Sequence, residues 1–370
     1  MEKYGIYVHI PFCKARCGYC AFSSCCDYSL QQPYFGKLLK EADARANKDV
    51  AVSTVFLGGG TPSSVDTEYL DKLFSKLAER FNLRAAEEIT VECNPESVTE
   101  SLLACLKRNG VNRLSFGLQS TNDATLKRIG RIHRYNDFLA ALNLAEQYGF
   151  ENINVDLILG LPEDFDDFKR SVNTAAQLPV KHVSVYALEL HDNSPIYSIC
   201  KNRYNFDDDT LADMYDYAVN VLSAHGFNRY EISNFARGGY KCKHNINYWD
   251  EGRYIALGAA ASGFIGDVRY TNPFDVKDYI SAPMQDLLGG GDRLTLNEQA
   301  NEYVMLRLRL TDGVDLAEFK HRYNAGFTEY FSCAQKLIND GLLAVQNNAV
   351  FVPADKLYVI NSILTELLDF

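Results

Sequence analysis

The chain has 370 residues, 47% hydrophobic and 23% charged, enough to bury a barrel-sized core and a smaller second unit. A formal net charge of −11 argues against nucleic acid or an anionic membrane surface as the main partner. No apolar run approaches the ~18 residues of a spanning helix, no secretory leader pattern is visible, and ten cysteines concentrated early in the chain suit a reducing cytoplasm better than a disulfide scaffold.

A buried strand is expected at 5–10, followed past a cysteine-rich loop by a helix at 28–47. Strand 54–57 precedes helix 67–81, and strand 89–92 precedes helix 99–109, which stops at Gly110. Strand 113–117 precedes helices at 123–129 and 135–148, the second closed by Gly149. Strand 152–157 precedes helix 166–177, and strand 182–186 completes the series. Alternating strands and helices imply parallel βα units with right-handed crossovers. The expected fold is therefore α/β, a six-unit partial (β/α) TIM-like barrel over 1–235, with its active face at the C-terminal ends of the strands.

Residues 236–293 read as a connecting segment. Within and just before it, 230–236 and 244–249 resemble loop and short-strand material, and 254–266 is apolar and rich in Gly and Ala. Residues 294–370 read as a small winged-helix-like domain. Helices are expected at 297–310, 316–323, 328–340 and 355–367, with a hairpin across 342–345 and 350–352 that turns at Gln346-Asn347-Asn348-Ala349. Residues 295–370 carry 6 basic and 10 acidic side chains, a net of −4, so this unit is expected to be a cap or partner surface, not a nucleic-acid reader.

Directly after the first strand, Cys13, Cys17 and Cys20 form a C-x3-C-x2-C pattern. Thiolates hold iron–sulfur clusters. A four-iron cubane with three protein ligands keeps one iron open to a small molecule, as a catalytic zinc keeps an open position. The spacing also suits three independent buried thiols, or a zinc site completed by Cys25 or Cys26. Lys14 and Arg16 either offset cluster charge or are ordinary solvated cations. Tyr19 and Phe22 either shield a cluster or fill core.

Gly58-Gly59-Gly60-Thr61-Pro62 follows the second strand. Its glycines permit close approach to a ligand or simply a turn, and without a Walker lysine it is no P-loop. Glu92, Gln119 and Asp156 stand at the ends of strands three, four and five, placed either for a ligand or as caps.

The string Tyr7-Val8-His9-Ile10-Pro11-Phe12-Cys13, continued through Cys17, Tyr19, Cys20 and Phe22, resembles the radical S-adenosylmethionine (SAM) superfamily. Within it, the string is similar to the branch containing oxygen-independent coproporphyrinogen III oxidase and a haem chaperone. The resemblance implies a [4Fe–4S] cluster on Cys13, Cys17 and Cys20, SAM at the open iron, and an electron-donor protein. It implies that Tyr7, Gly60, Thr61, Glu92, Gln119, Arg131, Asp156 and Ala187 touch SAM, with Gly58–Pro62 meeting its amino group. A second SAM would meet Tyr19, Thr61, Pro62, Gln119, Arg131, Asp156 and Ala187. In such proteins the reduced cluster cleaves SAM to a 5′-deoxyadenosyl radical, which in the oxidase starts decarboxylation of two propionates.

Three features separate this chain from the oxidase pattern. Phe22 stands where the oxidase has a fourth cysteine, the chain begins three residues before Tyr4 where the oxidase carries an extension, and His244-Asn245-Ile246-Asn247-Tyr248-Trp249 resembles the chaperone signature. His244 is either a haem ligand or a satisfied structural histidine. Gly258-Ala259-Ala260-Ala261-Ser262 departs from an expected Gly-Pro-Gly-Ala-His, so a two-histidine haem site is not expected there. The expected function is haem binding and delivery to an acceptor protein, membrane-associated or not. The alternatives are the oxidase activity and a radical SAM reaction on another substrate. No residue is assigned as a catalytic acid or base.

Overall fold

Strand β1 (Lys3–Ile10) buries residues on both of its faces, the pattern of a strand inside a parallel sheet covered from two sides. The computed structural model describes residues 3–190, 195–203 and 206–368. Strands β2 (Ala51–Gly59), β3 (Glu88–Cys93), β4 (Arg113–Gln119), β5 (Asn152–Leu159) and β6 (His182–Ala187) follow, and all neighbours from β1 to β6 pair in parallel. These are the six βα units of the expected partial barrel. Helix Thr67–Arg80 shows why they pack. Leu70, Leu73, Phe74 and Leu77, at helical spacing, are its buried residues. Helix Glu100–Arg108 starts at Thr99, whose side chain accepts from the Leu102 N–H, and the chain leaves it through Gly110 at φ 78°.

The segment after β6 is more ordered than its sequence suggests. Strand β8 (Asn234–Ala236) pairs antiparallel with β6, and β7 (Asn228–Arg229) antiparallel with β8. Strand β9 (Arg253–Leu257) returns to the far side and pairs in parallel with β1. Antiparallel β10 (Ser262–Ile265), β11 (Val268–Thr271) and β12 (Asp292–Arg293) extend that side to a 12-stranded sheet. The loop and short-strand expectation at 244–249 is corrected: Lys243–Trp249 is a helix. Seven residues are too few for helical periodicity to show. Its first turn is instead fixed by a distant side chain, because the Glu88 carboxylate accepts from the N–H groups of Lys243 and His244 at 3.2 and 3.1 Å.

The C-terminal unit has its own apolar core, including Ala300, Phe319, Leu337 and Leu364. Helices Leu296–Arg307 and Leu316–Tyr323 match expectation. The helix expected at 328–340 is split into Phe327–Tyr330 and Ala334–Asn339, a break that lets Phe331 and Ala334 enter the same core. Strands β13 (Val314–Asp315), β14 (Ala344–Gln346) and β15 (Ala349–Phe351) form a small sheet. Its hairpin turns at Asn347 and Asn348, both left-handed at φ 51° and 62°, as a two-residue primed turn requires. The unit docks on the barrel side through the ion pairs Arg307–Asp250 and Arg322–Glu251 and a bridge between Glu231 and Leu310. Among the described residues no helix is long and apolar enough to cross a membrane.

Candidate functional site

The ends of β1 and β2 frame the cysteine loop. Gly60 N–H donates to the Ile10 carbonyl at 2.9 Å and Thr61 N–H to the Phe12 carbonyl at 2.8 Å, so the two strand ends are stitched together. The glycines make that seam possible. A Cβ on Gly60 would lie 2.5 Å from the Pro11 carbonyl carbon, and one on Gly59, at φ 107°, would run into the His9 imidazole. A Cβ on Gly58 would meet Glu92 Oε2 at 2.8 Å. Internal packing therefore requires this glycine run, whatever else it meets.

The loop is closed at its base and pinned at its tip. Cys25 N–H donates to the Pro11 carbonyl at 2.7 Å, Cys13 N–H to the Cys25 carbonyl at 3.0 Å, and Gly18 N–H to the Ile129 carbonyl at 2.9 Å. His9 is buried, with Nε2–H donating to the Ser23 carbonyl at 2.9 Å and Nδ1 accepting from the Tyr7 hydroxyl at 3.0 Å. Cys13, Cys17 and Cys20 open onto one cavity of about 650 Å³; Cys25 and Cys26 are not on its wall. Among the described residues no group of three or more His, Cys, Asp and Glu side chains is placed to hold a metal ion without rearrangement. All ten cysteines are free thiols. Burial pushes the Cys13 thiol up to about 11 and also raises Cys20, so a metal must displace protons to bind them.

A hydrogen-bond relay grips two of the three thiols. Arg131 Nη1 donates to Cys17 Sγ at 3.7 Å, and its Nη2 donates to Asn94 Oδ1 and the Gly117 carbonyl, both at 2.8 Å. Asn94 Nδ2 donates to Thr61 Oγ1 at 2.9 Å, and Thr61 donates to Cys13 Sγ at 3.4 Å. One guanidinium thus sits against sulfur and offsets negative charge there.

On the wall of the same cavity, Glu92 of β3 and Asp156 of β5 stand on the two strands that flank β4. Burial, then the charge of Asp156, pushes Glu92 up to about 7; burial also raises Asp156. Glu92 accepts from the Gly59 N–H at 3.1 Å, and Asp156 from Asn154 Nδ2 at 2.7 Å. Gln119 sits at a register shift between β4 and β5 with φ 65°, a strained backbone for a non-glycine, and its Oε1 is buried without a partner. Tyr7, Tyr19 and Ala187 line the cavity as well.

The structure thus brings together most of the residues singled out in the sequence, with Gly58, Pro62 and His244 outside the wall. The set fits a thiolate-bound cluster beside SAM. Three soft donors lie at one end, two buried carboxyls can face cationic groups, and guanidiniums can face a carboxylate. Sequence reasoning missed Arg113, Asn94 and Asn245 on this wall. Arg113 is 2% exposed; burial disfavours its charge, but Cys242, Glu88, Tyr230 and Asp156 more than compensate and raise its pKa. Its signal was an arginine opening a strand that goes on through Leu114, Phe116 and Leu118. Asn94 follows Glu92 at a strand end and was open to the same argument.

His244 points elsewhere. It is buried, with Nδ1 2.8 Å from Thr54 Oγ1, Nε2 2.8 Å from the Tyr248 hydroxyl, and its ring stacked on Phe56. Burial, then the charge of Arg113, drives its pKa down to about 3, so it is neutral. Both nitrogens have partners within the protein. A second cavity of about 540 Å³ lies beyond Tyr7, Ala21 and Phe22, which line both, and the motif reaches it through Tyr248.

This geometry has relatives. The radical SAM superfamily profile matches residues 7–175, and the HemN C-terminal domain profile matches 294–354. The chain is 35% identical over 359 residues to the heme chaperone HemW of Bacillus subtilis (strain 168), covering 94% of each chain. It is 36% identical over 353 residues to the heme chaperone HemW of Mycobacterium tuberculosis (strain ATCC 25618 / H37Rv), covering 92% of this chain and 89% of that one. The solved coproporphyrinogen III oxidase HemN of Escherichia coli superposes with a TM-score of 0.86 at 24% identity, over 99% of this chain and 90% of that one. At that identity the match establishes the fold.

Proposed function

We propose that this chain, which belongs to the HemW family of the radical SAM superfamily, binds haem and delivers it to acceptor proteins. Membership of the superfamily implies a [4Fe–4S] cluster and SAM as cofactors. In this reading Cys13, Cys17 and Cys20 hold the cluster, and Arg131 offsets its charge from beside Cys17. SAM lies against Gly59, Gly60 and Thr61, with Glu92, Gln119, Asp156 and Ala187 around it. When bound, the pair supplies one-electron reductive cleavage of SAM. The chain's own contribution is to orient and shield: Tyr7 and Tyr19 cover the cavity, and the buried carboxyls offer acceptors to cationic or hydroxyl groups. Haem, an electron-donor protein and a haem-accepting protein are the partners this function requires. His244 acts here as a positioning residue for Tyr248, not as an iron ligand.

The observation that carries the carrier reading over the oxidase is a difference in kind between the two likenesses. Similarity to proteins named heme chaperone runs along nearly the whole chain at 35–36% identity, whereas the oxidase matches in fold at 24%. Phe22 in place of a fourth cysteine points the same way. The test pairs a haem titration with an anaerobic assay of reduced, cluster-reconstituted protein on coproporphyrinogen III and SAM. Saturable haem binding without protoporphyrinogen IX formation is expected. Many turnovers of protoporphyrinogen IX without saturable haem binding would restore the oxidase.

A further inference from the structure

The second cavity differs in chemistry from the first. Its walls include six aromatic rings, from Tyr7, Phe22, Tyr248, Tyr254, Phe264 and Phe274. Its volume, about 540 Å³, falls within the roughly 300–1,000 Å³ of small-molecule sites. Two of the rings, Phe22 and Phe274, are 67% and 63% exposed, more than any other large apolar side chain described. Exposed aromatic lips on an aromatic slot suit a flat, largely apolar ligand that enters and leaves.

The charged groups at the slot are mostly spent on one another. Glu302 pairs with Arg269, and Glu251 with Arg322 at 3.3 Å, Glu251 keeping its second oxygen buried without a partner. Arg269 retains a buried Nε–H with no hydrogen-bond partner, a donor left over for an anionic group. The elements that supply the slot add a third observation. Phe22, Tyr248 of the His-Asn-x-x-Tyr-Trp helix, and Ala260 and Ser262 of the altered Gly-Ala segment all lie on this wall. Three stretches far apart in sequence therefore converge on one cavity. Leu306 and Glu302 of helix Leu296–Arg307 close it from the C-terminal unit.

We propose that this second cavity is the haem site, with the macrocycle between the aromatic walls and a propionate on Arg269. His244 serves it indirectly: it is buried behind Tyr248 and holds that hydroxyl at 2.8 Å, which sets the angle of one wall. The site lies across the Tyr7–Phe22 partition from the three thiols, so haem and the cluster occupy separate chambers. The inference rests on the haem-carrier reading, and the test separates the two.

Haem and SAM affinities are measured on cluster-reconstituted wild type, Leu306→Trp and Ser262→Trp, each substitution filling the slot from a different wall. Haem affinity should fall at least about tenfold in both, with SAM affinity and iron content unchanged. Haem dimethyl ester, which lacks the propionate charges, should bind wild type about tenfold more weakly than haem. Haem binding at wild-type strength in both variants would overturn the site while leaving the carrier reading intact. A wild type that binds no haem would remove the carrier reading, and the site with it. If one variant loses SAM binding and iron through misfolding, the other decides the outcome.

Discussion

The two cavities share a wall and little else. The chamber of the thiols is lined by charge: the carboxyls of Glu92 and Asp156, three guanidiniums and a left-handed Gln119 with an unpaired oxygen. The chamber beyond Phe22 is lined by rings, and its charges are mostly neutralised in pairs. Charge and strain in a dry site stay costly until a ligand answers them, so the first chamber is organised for chemistry on a polar cofactor. Aromatic walls with exposed lips give affinity without a fixed reacting geometry, so the second is organised for holding and release. A chain that carries one cargo and consults one cofactor needs both kinds of site, apart but adjacent.

The comparison can be broken most severely at the thiols. Cys17→Ser should reduce iron from about four per chain to near zero after anaerobic reconstitution, since two remaining thiolates cannot hold a cubane. Cys25→Ala and Cys26→Ala should keep full iron and an unchanged EPR signal. A full cluster in Cys17→Ser would remove the assignment.

Gly59→Ala should be next in size. The new Cβ meets the His9 ring and imposes a left-handed φ on alanine. A loss of roughly 2–4 kcal/mol in denaturant unfolding is expected. Wild-type stability with weaker SAM binding would mean instead that the glycine serves only the ligand.

His244→Ala sharpens the contrast between a ligand and a support. It leaves the Thr54 and Tyr248 hydroxyls without their partner and opens a space beside Phe56, for a cost of roughly 2–3 kcal/mol. Haem affinity should fall while the wavelength of the Soret maximum stays where wild type has it. A shifted maximum would make His244 an iron ligand.

The last effect is a change in pH dependence away from either cavity. Burial pushes Glu163 from 4.5 up to about 7. Its carboxyl accepts from Ser120 Oγ at 2.7 Å and leaves the other oxygen unpartnered. The folded state therefore holds this proton where the unfolded state has lost it, and stability falls as pH rises from about 4.5 to about 7. Glu163→Gln should lessen that fall by up to about 3 kcal/mol, read from unfolding curves at several pH values.

The first chamber was largely legible in the sequence because many of its residues lie in or just after the C-terminal halves of strands, and parallel βα order gathers strand ends automatically. Glu92, Gln119 and Asp156 needed no tertiary knowledge beyond that rule. Arg113 escaped because it opens its strand, not closes it, and reaches the cavity from below. The second chamber was illegible for the opposite reason. Its wall comes from β1, the cysteine loop, the Lys243–Trp249 helix, the β9–β11 sheet edge and the C-terminal unit, and no local pattern announces that they meet. His244 shows the same limit at one residue: its partners Thr54 and Phe56 lie on β2, nearly 200 positions earlier, so only the fold could tell support from ligand.

The separation of the chambers is tested most directly by titrating haem into Cys17→Ser protein prepared without a cluster, with SAM calorimetry on the same sample. SAM binding should be lost, and haem affinity should stay within about threefold of wild type, a difference below 1 kcal/mol. Haem binding that disappears together with the cluster would put both ligands in one chamber and contradict the account.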